Sequence, residues 1–313
     1  MSQISGRSES VLLDSVEDAG RSTGIRMLGD YLEMTKPRIA VFVVITALIG
    51  YAMAVRALPD VSAQWVSVLA ALFGTALTCM GSCALNHAVE RDTDALMLRT
   101  RNRPVASGRI SPGRALVFGS ALGAAGVGIL WAGAGALAAG LSLFTILSYV
   151  WLYTPLKRTT SASTVVGAVP GALPPVIGYA AASGRIQIEA LVLFGIMFIW
   201  QLPHFFAIAW LYRDEYAKAG LPVLAVVDPE GGSTFRQILL GCAALGPMGL
   251  APAIVGMSGG LYVAGALLSA AAMMGFGAAL AIGRTNQHAR RLFLVSLVYL
   301  PLVFALMVID SGP

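Results

Sequence analysis

The stretch QWVSVLAALFGTALTCMGSCALN, residues 64–86, contains 23 residues and no charged side chain. A helix of that length is long enough to cross the hydrocarbon core of a bilayer, which is roughly 30 Å thick. The rest of the chain has the same character, because 57% of its 313 residues are hydrophobic and only 12% are charged. This composition excludes an ordinary soluble domain and indicates a protein that crosses the membrane many times.

Eight further apolar windows resemble this stretch in length, and each is long enough to span a bilayer as a helix. The nine predicted spans cover residues 39–56, 64–86, 114–132, 135–154, 164–183, 188–210, 237–256, 260–283 and 291–309. We therefore predict an all-α integral membrane protein in which about nine transmembrane helices form one bundle. In this scheme residues 1–27 are a disordered cytoplasmic tail and residues 28–313 are the transmembrane domain.

The basic residues predict how the bundle is oriented. If the N-terminus is cytoplasmic, nineteen of the 21 Lys and Arg residues lie on the cytoplasmic side, and only Arg56 and Arg185 lie outside. Such a bias is typical of cytoplasmic loops, so we expect a multi-pass protein of the bacterial cytoplasmic (inner) membrane. The net charge of +5 indicates attraction to anionic lipid, and no basic stripe interleaved with aromatic residues indicates nucleic acid.

The loop HAVERDTDALMLRTRNRP, residues 87–104, follows the 64–86 span directly and is densely charged. If the helix continues for two more turns, Asn86, Glu90 and Asp94 lie on one face, and Asp92 lies off it. An amide and two carboxylates are hard ligands that suit Mg²⁺, which commonly binds together with substrate phosphates. Four arginines of this loop are candidates to bind phosphate oxygens: Arg91, Arg99, Arg101 and Arg103.

A simpler interpretation is a solvated loop whose acids and arginines pair with one another and contribute little. A second mixed-charge loop on the same face, LYRDEYAKAG at residues 211–220, favours a site, because its acid pair, Asp214 and Glu215, can face the first loop. A transporter with an anion-binding mouth is the alternative from another functional class. Transporters often contain internal repeats, and the sequence shows no convincing one. The charge lies at the inner face of the spans, which favours a central cavity that opens to the cytoplasm.

Polar residues inside the sixth predicted span suggest a second functional region. His204 is costly at membrane depth unless it has a role, and three interpretations remain open. It is an axial ligand of iron, a hydrogen-bonding or acid–base partner, or a structural residue that caps a helix broken by Pro203. Gln201 is a candidate to orient it. The segment PGALPPVIG, residues 170–178, should kink or break the fifth span, either to form a pocket wall or for ordinary packing.

Other residues are expected to have structural roles. Cys79, Cys83 and Cys242 lie within spans and are interpreted as small packing residues, in preference to a metal or redox function. His87 is expected at a helix end or loop, and His288 is expected to face lipid headgroups. Small residues such as those of GSALGAAGVGIL, residues 119–130, predict close helix packing, although glycine is also simply tolerated in membrane helices.

Five segments, in this order, resemble the UbiA superfamily of intramembrane prenyltransferases, and in particular the branch that farnesylates protohaem IX. They are MTKPRIAVF (34–42), NHAVERDTDALMLRTRNRP (86–104), YTPLKR with GAVPGALPPVIGY (153–158 and 167–179), WQLPHFFAIAW (200–210) and RDEYAKAGLPVL (213–224). Together they cover most of the chain and are highly specific.

The resemblance implies roles for individual residues. Asn86, Glu90 and Asp94 match the first acidic motif of the family, which implies that they coordinate Mg²⁺ bound to the diphosphate of farnesyl diphosphate. Asp214 and Glu215 replace the Asp-x-x-x-Asp array of the wider family, and either Glu215 or Asp214 would reach a second metal. The remaining residues implied to contact substrate are Lys36 and Arg38 on either side of Pro37, Arg91, Arg99, Arg103, Lys157, Arg158, His204 and Tyr216. Ser163 replaces the usual Asn of this branch and is assigned no role.

The implied reaction transfers a farnesyl group to a vinyl group of haem B, gives haem O and diphosphate, and serves the assembly of haem–copper oxidases. The implied partners are farnesyl diphosphate, haem B, the lipid bilayer, and a haem A synthase or an oxidase assembly factor that receives haem O. The alternative within the superfamily is a prenyltransferase that uses a phenolic ring or a chlorophyll-type propionate. The segments WQLPHFF and DEY argue against that alternative.

Overall fold

The computed structural model describes residues 26–311, so most of the predicted tail lies outside the described residues. Within this range nine helices are long and apolar enough to cross a membrane, which confirms the predicted number of spans. The first to ninth spans are Pro37–Ala57, Trp65–Val89, Pro112–Ala134, Ala136–Leu156, Ser163–Ser183, Ile188–Leu211, Gly232–Ile254, Gly260–Gly283 and Asn286–Ile309.

The seventh and ninth spans each begin five residues before their predicted starts, at Gly232 and Asn286. A hydropathy pattern detects only the apolar part of a helix, whereas helix ends are set by backbone hydrogen bonds. At the ninth span the side chain of Thr285 accepts a hydrogen bond from the backbone N of His288, at 3.2 Å. This N-cap starts the helix one polar turn before the apolar segment.

The fifth span is broken, as its prolines predict. One helix runs from Ser163 to Ala172, a second from Pro174 to Ser183, and Leu173 lies between them. The break serves both predicted purposes. Pro170, Gly171 and Pro174 line a cavity. On another side, a Cβ atom at Gly178 would overlap the backbone of Ala47 in the first span, so the two helices are in backbone contact.

The second and third spans approach each other closely, as the small residues predict. A Cβ atom built on Gly126 would lie 2.6 Å from the carbonyl oxygen of Gly74, and one on Gly119 would lie 2.9 Å from that of Gly81. Any larger side chain at these positions would separate the helices. The second span is therefore fixed firmly, and it carries Asn86 at its loop end.

The fourth span changes its winding before it ends. It is α-helical over Ala136–Leu147, forms a π-helical segment over Ser148–Tyr153, and finishes with Thr154–Leu156. π-Helical segments are rare in proteins, and those that occur are often found at functional sites. Here the segment brings Tyr149 and Tyr153 to the wall of the cavity.

Three short helices lie in the loops at one end of the bundle: Arg91–Leu96, Arg213–Lys218 and Leu224–Val227. Residues 26–34 are helical too and precede the first span. Arg109 ties that segment to the loop after the second span through ion pairs to Asp30, at 2.8 Å, and Glu33, at 3.0 Å. Because successive spans alternate in direction, all these elements meet at the same end.

Candidate active site

A cavity of about 620 Å³ lies inside the bundle, which confirms the predicted central cavity. Spans one, two, four, five, six and nine contribute to its wall, which is mostly apolar. Its charged lining residues are Lys36, Arg38 and Lys157, which belong to the loop end of the bundle. The cavity thus combines an apolar interior with a cationic mouth.

Asn86, Glu90 and Asp94 lie beside this mouth, and at most 6% of each residue is exposed. The prediction that one continuous helix carries all three residues is wrong, because the second span ends at Val89 and a separate helix begins at Arg91. The helical hydrogen bonds between the three residues are nevertheless kept across the break at Glu90. Glu90 N donates to Asn86 O at 2.9 Å, and Asp94 N donates to Glu90 O at 2.8 Å. The three residues therefore keep the one-turn separation that the sequence predicts.

Each of these three side chains is held by a residue distant in sequence or by a basic neighbour in its loop. Arg103 donates to Asp94 Oδ2 at 2.6 Å, and Lys157 Nζ donates to Glu90 Oε1 at 3.0 Å. The Asn86 amide donates to Thr154 Oγ1 at 3.4 Å. The ends of the second and fourth spans are thus connected by two contacts, Asn86 with Thr154 and Glu90 with Lys157. The sequence of residues 87–104 alone does not reveal either contact.

The remaining acid of the first loop behaves differently. Asp92 pairs with Arg91 at 3.0 Å, and both side chains are at least half exposed. That pair is the solvated kind that the simpler interpretation describes. The simpler interpretation therefore holds for Arg91 and Asp92, whereas Glu90 and Asp94 of the same loop are buried. Arg91 does not line the cavity, and neither does Arg101, which is exposed.

The two charged loops converge, as expected. Glu215 Oε2 accepts a hydrogen bond from the backbone N of Arg99 at 3.1 Å, whereas Asp214 is exposed. Glu215 is therefore the acid that faces the first loop. The Arg99 guanidinium stacks over the ring of Tyr212 with 4.8 Å between Cζ and the ring centroid. The sequence analysis did not identify Tyr212 as a site residue. Its position two residues before the acid pair Asp214 and Glu215 is the signal that could have identified it.

Tyr216 and Lys157 bring together, at the mouth, the loop after the sixth span and the loop after the fourth span. Tyr216 is buried and lines the cavity, with Lys157 Nζ 5.9 Å from its ring centroid. Arg158 lies next to Lys157 but donates to the carbonyl oxygen of Val89 at 2.8 Å. That bond holds the end of the second span.

Electrostatics at the mouth follow from burial and ion pairing. Burial alone would raise the pKa of Glu90, but the nearby Lys157 ammonium outweighs it and holds that pKa below its usual range. For Lys157, burial opposes the charged form, yet Tyr153 and Glu90 together raise its pKa. Burial lowers the pKa of Lys36, which forms no ion pair with any residue that the structure describes. The Glu90–Lys157 pair is therefore charged at neutral pH.

The oxygen ligands at the mouth fit a hard divalent cation. Asp94 Oδ1 is buried and has no hydrogen-bond partner among residues 26–311, so it presents an unused negative oxygen. Within the described part of the chain, however, no three His, Cys, Asp or Glu side chains are close enough to hold a metal by themselves. A cation here would draw further ligands from the Asn86 amide, from water and from a bound anion, as Mg²⁺ commonly does.

His204 lies in the cavity wall, on the sixth span, and is 8% exposed. The sixth span is helical from Ile188 to Leu211 despite Pro203, so the interpretation of His204 as the cap of a broken helix is wrong. Its Nδ1 lies 2.7 Å from Ser296 Oγ of the ninth span. Gln201 donates to the backbone carbonyls of Ala168 and Met197 and does not orient His204 as proposed.

Two further histidines and the three cysteines were expected to have structural roles. His87 is in the last turn of the second span but is buried, and neither ring nitrogen has a partner among the described residues. Cys242 packs against Gly277 as expected, whereas Cys79 and Cys83 line the cavity. His288 bonds to Thr285 at 2.8 Å on the exposed side of the ninth span. Ser163 is buried at the cavity wall.

Residues 43–302 match the UbiA prenyltransferase family. This chain belongs to that family. Among curated proteins, it is 47% identical over 290 residues to the protoheme IX farnesyltransferase of Solibacter usitatus (strain Ellin6076), a match that covers 90% of this chain and 98% of the relative. It is 41% identical over 293 residues to the protoheme IX farnesyltransferase of Koribacter versatilis (strain Ellin345), with 91% and 94% covered. This UbiA-family chain is accordingly a prenyltransferase.

Solved structures show the same fold at low sequence identity. A digeranylgeranylglyceryl phosphate synthase aligns with a TM-score of 0.73 and 14% identity over 91% of this UbiA-family chain and 98% of its own. A UbiA homologue from Aeropyrum pernix K1 aligns with a TM-score of 0.66, 19% identity, and 86% and 97% coverage. A UbiA homologue from Archaeoglobus fulgidus bound to GPP and Mg²⁺ aligns with a TM-score of 0.58, 16% identity, and 89% and 99% coverage.

Proposed function

We propose that this prenyltransferase transfers the farnesyl group of farnesyl diphosphate to a vinyl group of haem B, giving haem O and diphosphate. The farnesyl C1 carbon bonds to the terminal vinyl carbon as its bond to the diphosphate oxygen breaks. A water oxygen then bonds to the inner vinyl carbon, and the proton of that water goes to solvent. The named relatives at 47% and 41% identity support the choice of substrates.

The observation that carries the proposal is the buried carboxylate arrangement at the cavity mouth. Asp94 uses one oxygen for Arg103 and leaves the other free, and Glu90 is fixed by Lys157. We assign Mg²⁺ to Asn86, Glu90 and Asp94, with Glu215 as the carboxylate available to a second ion from the other loop. When bound, Mg²⁺ stabilises the charge that develops on the leaving diphosphate. The Mg²⁺ bound with GPP in the structure of the Archaeoglobus homologue supports the choice of metal.

The basic residues of the mouth bind the diphosphate. Lys36, Arg38 and Lys157 line the cavity there, and Arg103 and Arg99 belong to the adjoining loop. Fixed cations stabilise negative charge on the leaving oxygens without having to reorganise during the reaction. The ion pairs to Asp94 and Glu90 hold Arg103 and Lys157 in place for that purpose.

The apolar part of the cavity holds the isoprenoid chain and shields the allylic cation from water. Tyr149, Tyr153, Trp200 and Phe205 line it, and their ring faces attract positive charge. Excluding water until the new carbon–carbon bond has formed prevents hydrolysis of farnesyl diphosphate. His204 lines the same cavity, which supports a role beside the acceptor as an iron ligand or an acid–base partner.

We further propose that the mouth opens to the cytoplasm, that the protein resides in the bacterial inner membrane, and that haem O passes to a haem A synthase or an oxidase assembly factor. The support for the orientation is the strong bias of Lys and Arg toward the loop end of the bundle. The transporter alternative gains no support, because the charged residues that line the cavity gather at its mouth, and the described residues add no charged group along the rest of its wall.

Diphosphate release provides a test of the proposed function. Purified protein in lipid nanodiscs should release diphosphate from farnesyl diphosphate only when both haem B and Mg²⁺ are present, and a chelator should stop the reaction. Release that is equally fast without haem B would show that haem B is not the acceptor. Release that continues in the presence of the chelator would refute the metal assignment.

A further inference from the structure

One turn of the ninth span is built around His204. Ser296 is fully buried, and its hydroxyl lies 2.7 Å from His204 Nδ1 and 2.6 Å from the carbonyl oxygen of Phe293. The carbonyl oxygen of Ser296 accepts a hydrogen bond from Trp200 Nε1 at 2.8 Å. The rings of Trp200 and His204 stack with centroids 5.0 Å apart, and the Phe293 ring lies 5.2 Å from the imidazole.

This arrangement decides which imidazole nitrogen carries the proton. A serine hydroxyl has one hydrogen. Suppose that Ser296 donated this hydrogen to His204 Nδ1. The Ser296 hydroxyl oxygen and the Phe293 carbonyl oxygen would then lie 2.6 Å apart with no hydrogen between them, and two acceptors at that distance repel each other. Both short contacts are satisfied when Ser296 donates to Phe293 and His204 Nδ1–H donates to Ser296. The neutral imidazole then has a free lone pair on Nε2.

The free lone pair faces the cavity. His204 is a lining residue, and Nε2 makes no hydrogen bond to any residue that the structure describes. Trp200 stacks on the ring, Phe293 packs against it, and Ser296 holds Nδ1, so these contacts oppose rotation of Nε2 away from the cavity. Metal-binding histidines are typically held in this way, with the second nitrogen donating to an oxygen that fixes the tautomer.

We infer that Ser296 is a positioning residue, which holds His204 in the Nδ1–H tautomer so that Nε2 ligates the iron of the bound acceptor. This inference rests on the proposed function, because it takes haem B to be the occupant. It also chooses between the two roles left open for His204. Imidazole nitrogen is a common ligand of haem iron, and a fixed ligand would set the distance of the porphyrin from the mouth.

The test compares haem with metal-free protoporphyrin IX. Ser296→Ala and His204→Ala should each weaken the binding of ferric haem by roughly tenfold or more, the range expected when an outer-shell partner or a ligand is lost. Neither should change the affinity for metal-free protoporphyrin IX, since that molecule has no iron to ligate. The haem absorption spectrum should lose its imidazole-ligated form in His204→Gly and regain it when free imidazole is added.

Two variants serve as controls. Ser269→Ala removes a hydroxyl that donates to the Gly265 carbonyl at 2.6 Å in the eighth span, away from His204, and should leave both affinities unchanged. Ser296→Thr keeps the hydroxyl and should restore haem binding. Equal losses for haem and metal-free porphyrin in Ser296→Ala, or a wild-type haem spectrum in His204→Gly, would overturn the inference.

Haem O formation in the same preparations separates the two proposals. If wild-type protein makes haem O and the haem spectrum does not depend on His204, ligation is refuted and the proposed function stands. If iron-dependent binding follows Ser296 and His204 but no haem O is made, ligation stands and the proposed function is refuted.

Discussion

Lys36 combines an unusual backbone with an unusual environment. Its φ of 46° and ψ of 64° place it in the left-handed region, directly before Pro37, where an extended conformation is normal. Such a conformation costs free energy and persists when the surroundings impose it, often at functional sites. Lys36 lines the mouth of the cavity with a partly buried side chain, close to the position proposed for the diphosphate.

The lowered pKa of Lys36 predicts an alkaline limit on substrate binding. Burial disfavours the ammonium form, so Lys36 loses its charge at a pH below that of an ordinary lysine, which titrates at about 10.4. The raised pKa of Lys157 keeps that residue charged over the same range. The KM for farnesyl diphosphate should therefore rise as pH increases toward 10. Lys36→Arg, whose charge persists, should shift that rise to higher pH; an unchanged profile would contradict this role.

Asp94 and Asp92 form a matched pair for testing the metal site. Asp94→Asn should reduce kcat by about 10²–10³-fold, the loss typical when one charge-stabilising group is removed. The amide oxygen can still accept from Arg103, so folding and membrane insertion should be retained. Asp92→Asn changes an exposed residue in the same loop and should leave turnover within twofold of the wild type. Product formation by mass spectrometry and melting temperature in detergent measure the two effects.

Sequence reasoning succeeds for those site residues whose spacing is local. Asn86, Glu90 and Asp94 are one turn apart along the chain, so their proximity is predictable even though the helix breaks between them. It fails where a contact joins distant segments. The bond between Asn86 and Thr154 and the packing of Ser296 on His204 depend on the tertiary fold, which no local pattern records.

At the scale of helices, the spans are predictable because their length is imposed by the bilayer. The ends of the spans are less predictable, since polar turns such as residues 232–236 begin a helix without any apolar signal. The π-helical segment Ser148–Tyr153 was not predicted. Its residues, SYVWLY, resemble any other apolar part of a span, so the sequence does not mark the change in winding.

The contact between the second and third spans predicts different tolerance at two glycines of one helix. Gly126→Ala places a Cβ atom 2.6 Å from the Gly74 carbonyl and should destabilise the bundle by about 1–3 kcal/mol. Gly128→Ala meets no atom within 4 Å and should be neutral or slightly stabilising. Because both changes add the same methyl group to the same helix, the difference in thermal stability isolates the close approach. Equal melting temperatures would contradict it.

At the scale of the whole molecule, the proposed orientation predicts which loops face the cytoplasm. Ser62 and Ser107 are exposed residues at opposite ends of the bundle. In intact cells a membrane-impermeant maleimide should label Ser62→Cys, while Ser107→Cys should react only after the membrane is permeabilised. The unsubstituted protein supplies the background from its own cysteines. Labelling in the opposite order would reverse the orientation and place the cavity mouth outside.

The shape of the cavity, with cations and carboxylates at one end and aromatic rings and His204 inside, accounts for a reaction between a diphosphate ester and a large apolar acceptor. A digeranylgeranylglyceryl phosphate synthase has the same fold, so the fold alone does not determine the acceptor. Acceptor identity, the central claim, depends on the interior wall more than on the metal site.

The most direct measurement supplies purified protein with farnesyl diphosphate, Mg²⁺, and an equal mixture of haem B and a phenolic acceptor, and identifies the prenylated product by mass. We predict a porphyrin heavier than haem B by one farnesyl and one hydroxyl group, with the phenol unchanged. A prenylated phenol with unmodified haem B, formed by folded protein, would contradict the account.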